Sequence, residues 1–112
     1  TREGAEDVEK VVDFLCERLG VKDGGIRKLI TDSASEVIEA VRSRAKDVDF
    51  CLSPASLRRA IAMFMEGEDR SERRFLRYLK YSLGYMNLEE DVVRAIDELI
   101  EKRTEGGRGA GG

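Results

Sequence analysis

Apolar residues recur at steps of three and four along most of the chain, the period of helices that each bury one face. Val8, Val11, Val12, Leu15 and Leu19 trace the first stripe, with Glu and Asp between them, and predict a helix from about Ala5 to Leu19. Gly20 predicts its end, because glycine enters left-handed backbone at no side-chain cost, and Val21 supplies the apolar contact that often seals such a stop. Asp23 then predicts the cap of a second helix, from about Gly24 to Lys46, whose inner face reads Ile26, Leu29, Ile30, Ala34, Val37, Ile38, Val41 and Ala45. Ser53 followed by Pro54 is a strong helix start, and the third helix, Pro54 to Glu66, offers Leu57, Ala60, Ile61, Phe64 and Met65 to a core. A fourth runs from about Ser71 to Leu83 on Phe75, Leu76, Leu79 and Leu83. Gly84, Tyr85 and Asn87 repeat the stop, lock and cap of Gly20, Val21 and Asp23. Asn87 and Glu90 have capping-box spacing, and a fifth helix follows from Leu88 to about Arg103 through Leu88, Val92, Val93, Ile96, Leu99 and Ile100.

No segment alternates with the period of a strand, so the expected fold is an all-α, single-domain bundle of about five amphipathic helices over residues 5–103. The glycine-rich residues 104–112, ending in GGRGAGG, are expected to form a flexible tail. At 112 residues and 41% apolar content the chain can bury a real core without disulfide or metal support. Only two cysteines are present, Cys16 and Cys51, lacking the spacing and partners of a zinc site, and reduced thiols are the expectation. No apolar run is long enough to span a membrane, and TREGAEDVEK is too acidic for a secretory signal, which together point to a cytoplasmic protein.

Composition narrows the chemistry further. The chain has no His, Gln or Trp and a single Asn, and a missing His removes the commonest general base and metal ligand near neutral pH. Neither cysteine nor any serine has a His to activate it, so no nucleophile and base can be paired and the chain is not expected to be an enzyme. Gly24 and Gly25 lead into a helix with Lys28 nearby, but the spacing of a phosphate loop is absent. Glu66, Glu68 and Asp69 lack the ligand count of a calcium loop and read as a solvated acidic turn. No metal, cofactor or small-molecule substrate is expected. Arg outnumbers Lys 14 to 6, and with almost no side-chain amides this resembles a thermophile composition.

Charge is unevenly placed. The net charge is −3, yet residues 53–85 carry seven basic and four acidic side chains between two acidic flanks. Arg70, Arg73, Arg74, Arg77 and Lys80 follow helical steps, with Tyr78 and Tyr81 beside them and Arg58 and Arg59 as a possible extension from the third helix. Such a stripe suits nucleic-acid phosphates, with tyrosines stacking on bases, and five phosphate contacts imply a log-affinity slope against log salt of about −4 to −5. With both flanks acidic, the plainer reading is an internal ion-pairing face against the acidic first or fifth helix.

The stretches ERLGVKD, CLSPASLRRAIAMF and LEEDVVRAIDELI, in that order, resemble the small helical lid domain of AAA+ ATPases of the MoxR type over about residues 5–103. The resemblance implies a domain that closes over a nucleotide held by a separate α/β core, with a sensor arginine opening the helix after the Ser-Pro pair. Ala55 stands at that position, with Arg58 and Arg59 one turn on, and the chain has no phosphate loop of its own. The reading that joins these lines is a non-catalytic helical protein-interaction module resembling a detached AAA+ lid. Its partner is another protein or a second copy, met through the adaptable side chains of Met63, Met65, Tyr85 and Met86. The alternative is nucleic-acid binding through the fourth helix.

Overall fold

A computed structural model of the chain describes residues 2–84 and 88–111, with side chains described in 7–84 and 88–103. Among them are five helices and no strand: α1 (Arg2–Leu19), α2 (Gly24–Arg44), α3 (Pro54–Glu66), α4 (Glu72–Leu83) and α5 (Glu90–Gly111). The fold is the all-α bundle that the apolar period predicts.

Local chemistry sets the boundaries. Gly20 has φ +76, and the Val21 amide donates to the Cys16 carbonyl at 2.8 Å, closing α1 with a left-handed stop. The Asp23 carboxylate accepts from the Ile26 amide at 3.0 Å and caps α2. Ser53 accepts from the Ser56 amide at 3.1 Å, with Pro54 in the first turn of α3. Ser71 accepts from the Arg74 amide at 3.2 Å, so it caps α4 rather than belonging to it.

Several boundaries differ from the periodic reading, α1 starting at Arg2 rather than about Ala5 and α2 ending at Arg44 rather than about Lys46. Gly84 closes α4 in right-handed conformation, φ −62, its amide donating to the carbonyls of Lys80 and Tyr81, so it does not copy the corner at Gly20. The Tyr85, Met86 and Asn87 of the expected second corner lie outside the described residues. α5 starts at Glu90, two residues later than expected, because the Glu89 carbonyl accepts the first bonds, from Val92 and Val93. Its backbone continues helically to Gly111, past the Arg103 boundary and into the stretch expected to be a tail. A helix ladder is made by backbone groups, so turns nucleated by packing can propagate into residues of poor propensity. The side chains of residues 104–112 lie outside those described.

The core is one continuous cluster. It takes Val8, Val12 and Leu15 from α1, Ile30, Val37 and Val41 from α2, Leu57, Ile61 and Phe64 from α3, Phe75, Leu76, Leu79 and Leu83 from α4, and Val92, Ile96 and Leu99 from α5. α2 packs on α1, α4 and α5, while α3 lies mainly on α4. Phe64 and Phe75 meet edge to face at 5.4 Å and fasten the α3–α4 pair. Arg27 joins α1 to α2 by donating to the Val21 carbonyl at 2.8 Å and to Glu17 at 2.7 Å, which holds the Glu17 carboxyl below its ordinary range. Cys16 is buried, and desolvation pushes its thiol pKa upward; Cys51 is exposed. No helix is long and apolar enough to cross a membrane among the described residues.

Phe75 is fully enclosed, whereas Arg58 is exposed. Phe75→Ala is expected to cost about 3 to 5 kcal/mol in urea denaturation. Arg58→Ala should stay within about 0.5 kcal/mol. Equal stability of the two variants would contradict the helical phases described.

Candidate functional site

The phase of α4 decides what its cations can do. Phe75, Leu76, Leu79 and Leu83 face the core with no measurable exposure, so the charged residues are turned to the flanks and to solvent. The structure divides the expected stripe into two groups.

Three of its cations are engaged within the fold. Arg70 precedes α4 and turns back under the end of α3, where its Nη1 donates to the carbonyls of Phe64, at 2.9 Å, and Gly67. Its Nη2 reaches the Met65 carbonyl at 3.2 Å, and the guanidinium carbon lies 5.4 Å from the Phe64 ring centroid. Arg70 therefore satisfies the carbonyls that a helix end leaves open, with charge of the sign that end favours. Arg74 pairs with Asp69 at 3.5 Å and lies over the Tyr78 ring. The Asp69 carboxyl is held below its ordinary range, first by hydrogen bonds from Ser71 and then by Arg74. Lys80 reaches across to Asp97 on α5 at 2.6 Å.

Two cations remain on the outer face. Arg73 is half-buried and Arg77 exposed, and neither has a carboxylate within 4.0 Å among the described residues. Arg73, Arg77 and Tyr81 stand at four-residue steps on one line of the helix, and Tyr81 is 62% exposed. Arg77, Lys80 and Tyr81 form one wall of a groove of about 500 Å³, with Asp97, Ile100 and Glu101 of α5 opposite. Arg58 and Arg59 are exposed on α3, as is Ala55 in its first turn. Met63 and Met65 are half-buried, Met65 against the core. Tyr85 and Met86, the other expected contact residues, lie outside the described residues.

A second polar cluster escaped the sequence reading. Arg103 of α5 donates from Nη2 to Glu36 Oε2 of α2, and its Nε lies 3.4 Å from Glu72 Oε1 of α4 without hydrogen-bond alignment. Ser33, fully buried on α2, donates to Glu72 Oε2 at 3.3 Å. The signal was present: Glu72 sits three and four residues before Phe75 and Leu76, and Arg103 three and four after Ile100 and Leu99. Polar residues on an apolar period are candidates for a buried network, but only the fold shows that these meet.

No family model, curated protein or solved structure matches the chain.

Removing Arg70 should leave several carbonyls at the end of α3 without their charged donor. Arg70→Ala is expected to cost about 2 to 3 kcal/mol in urea denaturation, and Arg73→Ala no more than about 0.5 kcal/mol. Similar costs for the two would contradict the division of the stripe.

Proposed function

We propose that the chain is a non-catalytic helical module that binds another protein, and that the groove between α4 and α5 is its contact surface. The observation that carries this reading is Tyr81, a large aromatic 62% exposed beside Arg77 on the wall of a groove of about 500 Å³. Tyrosine and arginine are the side chains that most often anchor protein interfaces, since each offers a wide apolar surface with a polar end. The ring of Tyr81 is the apolar surface an occupant would bury, beside the charges of Arg77 and Glu101 on the same groove. The absence of His from the sequence supports the non-catalytic part of the proposal. The lid-like order of motifs supports a module that works against a separate protein.

The test is photo-crosslinking from position 81. With a photoreactive phenylalanine analogue in place of Tyr81, a discrete protein adduct is expected, and Arg77→Glu should remove it without changing helical content. An adduct of two copies identifies a homo-oligomer. Failure to obtain any protein adduct would contradict the proposal.

Nucleic-acid binding is the second reading, favoured by the line of Arg73, Arg77 and Tyr81. With two cations of the stripe clear of carboxylates among the described residues, binding to duplex DNA should show a log-affinity slope against log salt of about −2. Absence of binding at about 50 mM salt would remove this reading. A slope of about −4 to −5 would mean that Arg70, Arg74 and Lys80 leave their partners to engage phosphates.

A further inference from the structure

Where α2, α4 and α5 meet, two carboxylates face one guanidinium. Arg103 donates to Glu36 and approaches Glu72 at 3.4 Å, while Ser33 donates to the far oxygen of Glu72 at 3.3 Å. Each of the three charged side chains is about one-third exposed, so water compensates their charges only in part. Glu36 Oε1 is buried without a hydrogen-bond partner among the described residues. The charged groups acting on Glu36 are Glu72 from α4 and Arg103 from α5, and α1, also packed on α2, adds none among the described residues. With both carboxyls ionised the cluster holds one negative charge in excess. A proton on Glu36 removes that charge and supplies a donor.

We propose that this cluster is a proton-operated latch, in which one proton shared by Glu36 and Glu72 removes the repulsion between their carboxyls and holds α2 and α4 together around Arg103 of α5, and its loss loosens that junction. Burial, and then the neighbouring Glu72 carboxyl, push the Glu36 carboxyl up to about 7, with Arg103 opposing. The ordinary value is 4.5, so between about 4.5 and about 7 the folded chain holds a proton that the unfolded chain has lost. Stability therefore falls as pH rises through that window and levels off above it. The latch is independent of what occupies the α4–α5 groove, although the same turns of α5 carry Ile100 and Glu101 of that groove.

The experiment is a carbon-detected NMR titration of the glutamate carboxyls, with urea midpoints from about pH 5 to about pH 8 for the native chain, Glu36→Gln and Glu72→Gln. The Glu36 carboxyl should titrate at about 7, and the native urea midpoint should fall across the range. Glu36→Gln, fixed in the neutral form, should remove that fall. Glu72→Gln should return the Glu36 titration toward the ordinary carboxylate range. A native Glu36 titrating below about pH 5, or a Glu36→Gln chain with the native pH slope, would overturn the latch. If Glu36→Gln does not fold, the native titration and Glu72→Gln decide.

Discussion

The edge-to-face contact of Phe64 with Phe75, at 5.4 Å, sets the arrangement from which the rest of the surface follows. It joins α3 to α4 at the corner where the chain reverses, and Arg70 closes that corner by binding the carbonyls at the end of α3 while lying on the Phe64 ring. Once Phe75 is seated, the rotation of α4 is determined: Leu76, Leu79 and Leu83 must face inward, and Arg77 and Tyr81 must face out. The charged pairs to Asp69 and Asp97 are open to solvent on about half of their side-chain surface and add little stability, so they follow from this rotation and do not impose it. Apolar burial and one well-placed guanidinium decide which cations are available to a partner.

α2 has the complementary role. It is the helix on which α1, α4 and α5 all pack, and it carries Ser33, buried, and Glu36, about one-third exposed, which meet α4 and α5. The network is left half-satisfied, with Glu36 Oε1 and Arg103 Nε lacking hydrogen-bond partners among the described residues, and an incompletely paired, partly buried charge is the kind that answers to a proton. The outer groove and the inner cluster thus share α5 as a wall but draw on different physics, apolar contact in one and proton balance in the other.

The helices were legible because each is written locally. The period of Val8 to Leu19, the Gly20 stop, the Asp23 and Ser53 caps and the Phe75 to Leu83 face all act within a few residues of themselves. Gly84 was misread because glycine permits left-handed backbone without requiring it, and its amide finds carbonyl partners in right-handed form. The basic stripe was legible as a run of cations but not as a site. Step arithmetic placed Arg70 with Arg73 and Arg77, whereas Ser71 caps a helix that begins one residue later and leaves Arg70 outside it. Lys80 with Asp97, and Glu36 with Arg103, are pairs made by tertiary packing across 17 and 67 residues, which no local pattern contains.

The division of the cations is the claim on which the functional reading turns, and guanidinium NMR of the native chain tests it most directly. Hindered rotation gives separate, slowly exchanging Nη signals to an arginine held by several acceptors, and averaged ones to an arginine in solvent. The account predicts resolved Arg70 signals with cross-peaks to the Phe64 ring, and averaged signals from Arg77. Averaged signals from both, with no contact between Arg70 and Phe64, would contradict it.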